Sequence, residues 1–292
     1  MVNNKIIVIV GPTGVGKTKL SVSLAKKLNG EIINADSMQF YKGLDIGTAK
    51  IKDDEKEGVI HHLFDIKNVN EMYTIYDYQK DCRLIIDDIL KRGKTPILCG
   101  GSGLYIRACL YDYELNYENK SLDYGSFSNE ELLEKCKEID PCCNIHVNNR
   151  KRLERFLNIN YNSGKINTDS KPIYDFLLIG LTTDREMLYN IINNRVDRMV
   201  QEGLVSEVKS FYDSNIRSKA INTGIGYKEL YSYFDGKMSL DDAIELIKKN
   251  SRHLAKRQYT FFNNQFDNIK WFYTDYDNFN HTINDVMKYI KG

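Results

Sequence analysis

Eight residues, Gly11 to Thr18, read GPTGVGKT and satisfy in full the spacing G-x-x-x-x-G-K-[ST]. The chemistry this spacing serves is phosphate binding. Gly11, Gly14 and Gly16 let backbone N–H groups turn inward around a phosphate chain, and Pro12, Thr13 and Val15 complete the loop. Lys17 adds a point charge, and the Thr18 hydroxyl can hold Mg²⁺. An apolar run precedes the loop and an amphipathic segment follows it, which is the strand-then-helix context the motif requires. A phosphorylated ligand follows, but its identity does not, because kinases and ATPases share the same loop.

Asp36 closes a second apolar run, Glu31 to Ala35, and so places a carboxylate on the same sheet edge as the phosphate loop. A general base or a metal-holding group belongs there. An Asp after a strand also caps helices and forms turns, so the residue alone leaves both readings open. Two basic clusters suit RNA phosphates: Arg150, Lys151, Arg152 and Arg155 within two helical turns, and Lys248, Arg252 and Lys256 at i, i+4, i+8 beside Lys249 and Arg257. Solvated helix faces carry the same pattern. His61 and His62 invite a metal reading, but no ligand set surrounds them, and packing or loop ordering fits them better. The cysteines, Cys82, Cys99, Cys109, Cys136, Cys142 and Cys143, form no C-x-x-C pair, so neither a zinc site nor a disulfide framework is expected.

These groups need elements to position them, and the hydrophobic pattern provides them. Lys5 to Val10, Glu31 to Ala35, Thr95 to Cys99 and Phe176 to Leu181 read as buried parallel strands, with a last one over Ile269 to Tyr273. A helix begins near Lys17 with Leu20, Leu24 and Leu28 on one face, and another spans Ile75 to Arg92, closed by Gly93. Further helices are expected over Asp184 to Gln201, Ser206 to Tyr212 and Leu240 to Asn263. A polar, Gly-containing loop runs from Asp36 to Lys50, and Gly100 and Gly101 end the third strand. This alternation predicts an α/β fold, a P-loop NTPase-like parallel sheet flanked by helices, with its site at the C-terminal ends of the strands. Residues 113–172 break the pattern, being polar and rich in Asn and Tyr, and read as a mostly helical insertion into a core of residues 1–112 and 173–292. Within it, Asn158 to Asn167 comes nearest to low complexity.

With 292 residues and 42% hydrophobic content the chain can build a sizeable core. Its net charge of +1 supplies no general attraction for nucleic acid, so an RNA partner would be held by local patches. No charged leader precedes the first strand, and no apolar run approaches the roughly 18 residues that span a bilayer. A cytoplasmic monomer without membrane contact is expected.

The motifs GPTGVGKT, DSMQFYKGLDIGTAK at Asp36 to Lys50, HHLFDI at His61 to Ile66, GGSGLY at Gly100 to Tyr105, LTTDREMLYNIINNRVDRM at Leu181 to Met199, GIGYKEL at Gly224 to Leu230 and SRHLAKRQYTFF at Ser251 to Phe262 stand in order along the chain. In that order they resemble the tRNA dimethylallyltransferases, also called tRNA isopentenyltransferases. They cover most of the chain outside the insertion, and the ordered set is far more specific than a P-loop alone. The resemblance implies transfer of a dimethylallyl group from dimethylallyl diphosphate to N6 of the adenosine immediately 3′ of the anticodon in tRNA, with release of diphosphate. It implies that Asp36 takes the N6 proton, and that Lys17, Thr18 and Arg195, with Mg²⁺, stabilise the departing diphosphate. Ser102 matches a family Thr and keeps its hydroxyl.

On the same resemblance the tRNA anticodon stem-loop would meet Asp36, Ser37, Met38, Gln39, Ser102, Tyr227, Lys228, Arg252 and Lys256, and Lys151, Arg152 and Arg155 of the insertion. The adenine has to leave its stack to reach the site. Tyr41, Tyr105 and Tyr227 are candidates for its walls and equally for the core. Departures from the family pattern lie on the RNA side: a helix missing near Leu122, Asn158 in place of Glu, and Thr223 in place of Gln or Arg. The absence of a zinc finger before Gly292 fits a bacterial type. Rival readings are an AMP or ADP dimethylallyltransferase, a P-loop small-molecule kinase and a non-catalytic RNA-binding module. The first needs no RNA clamp, the second no Asp-Ser-x-Gln loop, and the third no intact Lys17, Thr18 and Asp36.

Overall fold

The β-branched run at the start of the chain forms strand β1, Ile6–Val10, buried along its whole length. A computed structural model describes residues 5–112, 122–163 and 171–292. Around β1 stand β2 (Gly30–Asn34), β3 (His61–His62), β4 (Thr95–Cys99), β5 (Phe176–Thr182) and β6 (Lys270–Tyr273), in the order β3-β2-β4-β1-β5-β6. Every pairing is parallel, with Val8 opposite Leu98 on one side and Leu178 on the other. A parallel sheet needs both faces covered, which is why these strands are uniformly apolar instead of alternating. The central ones contribute about 1.5–3 kcal/mol for each large side chain buried.

The helices follow the expected alternation. α1 (Lys17–Leu28) joins β1 to β2, and α2 (Ile75–Lys91) is opened by a capping box between Thr74 and Asp77. α3 (Gly103–Leu110) follows β4 directly. After β5 come α6 (Arg185–Gln201), α7 (Leu204–Asp213), α8 (Lys219–Thr223), α9 (Tyr227–Phe234) and the 26-residue α10 (Leu240–Gln265), with α11 (Phe279–Lys291) after β6. Five elements lie outside the sequence reading: β3, too short to show a pattern, α3, hidden behind glycines, and α8, α9 and α11. The His61–His62 pair is β3 itself. His62 meets the buried carboxylate of Glu31 at 2.7 Å, where Arg92 and Lys94 also converge. Those partners hold Glu31 well below the usual carboxylate range, chiefly through Arg92. This cluster lies at the start of β2, at the opposite end of the strand from Asp36.

The chain divides into two compact units, Met1–Leu110 with Ile173–Gly292, and Tyr111–Pro172. The second holds helices α4 (Asn129–Ile139) and α5 (Arg150–Ser163), joined by a core of Leu132, Cys136, Leu153 and Leu157 under Tyr124. Of the polar stretch in the sequence, residues 113–121 and 164–170 lie outside the described residues, including the end of the Asn158 to Asn167 run. Asn158 itself accepts a hydrogen bond from the Leu122 N–H, 3.0 Å. All six cysteines are free, and no helix among the described residues is long and apolar enough to cross a membrane.

Candidate active site

The loop after β1 turns on Gly11, Gly14 and Gly16, all at positive φ. Gly16 is the N-cap of α1, at φ 87°, and no side chain caps the helix. The first turn carries no acidic residue, so its free N–H groups and the positive end of the helix dipole are available to an anion. A Cβ on Gly16 would stand 2.6 Å from the Phe279 ring, so the position needs glycine for space as well as for φ. Lys17 Nζ donates to the carbonyls of Gly11 (3.0 Å) and Pro12 (2.7 Å), which leaves one of its three protons uncommitted. Burial pushes its ammonium down to about 8, against the pull of Cys99 and Asp36 and helped by Arg195.

Distant elements brace this loop. Gln258 of α10 accepts from the Thr13 N–H (3.0 Å) and donates to the Gly101 carbonyl (3.2 Å), linking the loop after β1 to the loop after β4. Arg195 of α6 donates to Thr13 Oγ1 at 2.9 Å and reaches the Thr48 carbonyl at 3.5 Å. Its desolvation lowers the guanidinium pKa, and Asp36 opposes that shift. From the far end of the chain, Thr274 Oγ1 donates to the Val15 carbonyl (2.9 Å) and the Tyr276 hydroxyl to that of Gly14 (3.4 Å).

Asp36 stands just past the end of β2. Asn34 Oδ1 accepts from its N–H (2.9 Å), and its own Oδ1 accepts from Met38 N–H (3.2 Å). The turn-forming role is therefore present, and no other hydrogen bond engages the carboxylate among the described residues, which leaves it open to a ligand. Ser102 bridges the neighbouring strand ends: its N–H donates to the Ala35 carbonyl (3.0 Å) and its Oγ accepts from Ser37 N–H (3.2 Å). Tyr105 is half-buried against Phe40 and the fully buried Tyr78, with centroids 5.7 and 4.9 Å away. Burial first, and then the charges of Tyr41 and Asp36, raise its phenol to about 12. The strand ends thus bring Lys17, Asp36, Ser102 and Tyr105 to one edge, which Arg195 reaches from α6, and Thr18 stands in the first turn of α1 as an exposed residue.

The loop from Asp36 to Lys50 contains no strand or helix but is pinned at several points. Gln39 Nε2 donates to the Thr48 carbonyl, 3.1 Å. Lys50 is buried and bonds Asp45, Asp65 and the Tyr41 carbonyl. Glu207 of α7 accepts from the N–H groups of Asp45, Ile46 and Gly47 and from the Tyr227 hydroxyl (2.6 Å). Neither Glu207 nor Gln258 stands out in the sequence, because the loops each one braces lie more than a hundred residues away.

Several expected sites need correction. Tyr227 is wholly buried, with its hydroxyl committed to Glu207, so it is a core residue and offers no surface to RNA. Met38 packs its side chain against the cluster around Tyr227. Arg150 is consumed within the second unit by Glu154 and the carbonyls of Tyr124 and Phe127. Lys248 is neutralised by Asp197 (2.8 Å) and Glu245 (3.0 Å), and Arg252 is tied to Asn193 (2.6 Å). Lys151, Arg152 and Arg155 are exposed on α5, and Lys256 on α10, without ion pairs among the described residues. Lys228 is half-buried on α9.

A family model described as IPP transferase matches residues 39–265. A tRNA dimethylallyltransferase of Anoxybacillus flavithermus is 48% identical over 99% of this chain and 96% of its own length. The chain belongs to the IPP transferase family. A second family relative, the tRNA dimethylallyltransferase of Geobacillus thermodenitrificans, is also 48% identical, over 99% of this chain and 96% of its own. The similarity to these IPP transferases extends over the phosphate loop and Asp36, which precede the segment matched by the family model. Among solved structures, the tRNA isopentenylpyrophosphate transferase of Bacillus halodurans superposes with a TM-score of 0.76 at 41% identity, covering 99% of this chain and 97% of that one. A eukaryotic dimethylallyltransferase acting on tRNA gives 0.82 at 30% identity, covering 97% of this chain and 77% of that one.

Proposed function

We propose that this chain transfers a dimethylallyl group from dimethylallyl diphosphate to N6 of the adenosine immediately 3′ of the anticodon in tRNA. The observation that carries the reading is electrostatic and positional. Lys17 follows β1, Asp36 follows β2 and Ser102 follows β4 at one sheet edge, where Arg195 of α6 reaches the phosphate loop through Thr13 and the Asp36 charge favours both cations. That arrangement suits a reaction in which an anionic group leaves on one side while a proton is removed on the other. The names borne by relatives of near-equal length support the donor and the acceptor.

In this reading the adenine N6 forms a bond to the allylic C1 as the bond from C1 to the diphosphate oxygen breaks, and the N6 proton passes to Asp36. The α1 N–H groups, Lys17 and Arg195 hold the diphosphate oxygens as their charge grows. Ser102 positions Ser37 and so the backbone beside Asp36, and Tyr105 supplies an apolar wall that keeps water from the allylic carbon. No cluster of three or more His, Cys, Asp or Glu among the described residues could hold a metal. A lone hydroxyl at Thr18 still fits Mg²⁺, which takes few protein ligands and completes its shell with phosphate oxygens and water. Thr18 would hold the ion, which supplies positive charge to the leaving diphosphate. Lys151, Arg152 and Arg155 of α5 would grip the anticodon stem-loop backbone. The same reading takes the enzyme to be a monomer of the cytoplasm, where unmodified tRNA is met.

The test is incubation with Mg²⁺, dimethylallyl diphosphate and unmodified tRNA, with AMP and ADP as competing acceptors, followed by mass spectrometry of the nucleosides. A dimethylallyl adduct on tRNA adenosine is expected. An adduct on the free nucleotide alone, or no adduct at all, overturns the proposal.

A further inference from the structure

The buried residues of α10 are Ala243, Ile247, Ala255, Gln258 and Phe262, so its inner face is apolar at every position but one. An amide among such neighbours costs free energy unless its groups are bonded. Gln258 answers one donor and one acceptor: Oε1 accepts from the Thr13 N–H (3.0 Å), and Nε2 donates to the Gly101 carbonyl (3.2 Å). Those partners fix which way the amide faces, because only its oxygen accepts and only its nitrogen donates. The fit is close, since a Cβ on Gly101 would stand 2.1 Å from Nε2, and one on Gly103 would stand 2.2 Å from the Phe261 ring.

The two bonded groups belong to opposite halves of the chemistry. Thr13 lies in the phosphate loop, and its hydroxyl accepts from Arg195. Gly101 precedes Ser102, which donates its N–H to the Ala35 carbonyl and accepts from the Ser37 N–H, and so holds the residues on either side of Asp36. The ladder between β1 and β4 ends at Ile9 and Cys99, with the Gly100 N–H on the Ile9 carbonyl. Past that point the strands no longer set the spacing of the two loops, and the Gln258 amide spans them.

We propose that Gln258 is a positioning residue for the transfer, holding the phosphate loop and the Asp36 edge at the separation where the allylic carbon and the attacking amine meet. This rests on the reading of the chain as a dimethylallyl transferase. Gln258 touches neither substrate in this role and acts through Thr13 on one side and Ser102 on the other. Its loss costs alignment more than binding, because each substrate still finds its own loop while the distance between the loops is no longer fixed.

The experiment is single-turnover transfer from dimethylallyl diphosphate to an unmodified anticodon stem-loop transcript. Gln258→Met keeps the volume and removes both bonds. Its transfer rate is expected to fall about 10²-fold, while the Kd values of both substrates stay at wild-type values. Gln258→Glu separates the bonds from the bulk, since a carboxylate accepts from Thr13 but cannot donate to Gly101, whereas a protonated carboxyl does both. Burial opposite a carbonyl oxygen raises the pKa of such a group above the ordinary value of about 4.3. The rate of Gln258→Glu relative to wild type is therefore expected to climb as pH falls from about 8 to about 5. The ratio cancels the titrations of Lys17, Asp36 and Arg195, which both proteins share. A folded Gln258→Met protein that transfers at the wild-type rate overturns the proposal. So does one whose only defect is weaker binding of dimethylallyl diphosphate, which would make Gln258 a brace of the phosphate loop alone. A slowed Gln258→Glu protein whose ratio stays flat with pH overturns it as well, and this variant carries the test should Gln258→Met not fold. A wild-type protein that transfers nothing to the stem-loop removes the reading of the function, whereas an active wild type with unaffected variants removes only the role of Gln258.

Discussion

Lys17 is held below its ordinary pKa by burial, at about 8, and this gives diphosphate binding a pH dependence. Below that value the ammonium is charged and can meet the diphosphate; above it the charge is lost in the free protein. Affinity for dimethylallyl diphosphate is therefore expected to hold through neutral pH and to fall as pH rises past 8. Between about 8 and the unperturbed 10.5 the ligand should draw a proton onto Lys17, so calorimetry in buffers of different ionisation enthalpy should register proton uptake on binding. Asp36 carries the opposite role. Asp36→Asn keeps the shape and the turn acceptor for Met38 but removes the base, and turnover should fall by about 10² to 10⁴ with stem-loop affinity unchanged, as read by single-turnover kinetics and anisotropy. Of the side chains that the structure gathers at the strand ends, Lys17 and Asp36 were singled out by pattern, because a phosphate loop and a residue just past a strand are constrained in type and spacing, and Arg195 and Ser102 by resemblance. Tyr227 was misread because a phenol at a motif position looks the same whether it faces RNA or closes on Glu207.

At the scale of elements, the loop from Asp36 to Lys50 does work usually given to a strand or helix, and Glu207 explains how. One carboxylate satisfies three consecutive backbone donors and the buried Tyr227 hydroxyl, which joins α7 and α9 to the loop whose Thr48 carbonyl receives Arg195. A Cβ on Gly47 would stand 2.7 Å from the Tyr227 ring, so the loop and the helix touch without room to spare. Glu207→Ala should cost about 2–4 kcal/mol in chemical denaturation, because it strands a buried hydroxyl and three amides. It should also raise the KM for dimethylallyl diphosphate through loosening of Arg195. The elements that position the loop were readable where periodicity runs long, as in β1, α2 and α10. β3 escaped because two residues carry no period, and α3 because Gly100, Gly101 and Gly103 mask its start. The missed α11 did carry a signal, since Phe279, Ile283, Val286, Met287 and Ile290 are buried at helical spacing.

For the molecule as a whole, the central strand β1 draws its neighbours from far along the chain, and the last strand and helix close back on the first loop. Phe279 packs over Gly16 with Lys19 above its ring at 4.8 Å, while Thr274 and Tyr276 take the carbonyls of Val15 and Gly14. Phe279→Ala should lower unfolding stability by about 3–5 kcal/mol and weaken diphosphate binding as well, a pairing that denaturant titration and calorimetry can check. The same strap orders events in time during synthesis. The bond from Thr274 to Val15 spans 259 residues, so a ribosome adding about 5–20 residues per second needs on the order of tens of seconds between making the phosphate loop and making its brace. Throughout that interval the nascent chain carries the full GPTGVGKT sequence without the contacts that hold it in shape. Ligand binding is thus acquired only after the strap has been made, and a chain cut short before Thr274 has the motif but lacks the strap that keeps it ready for phosphate.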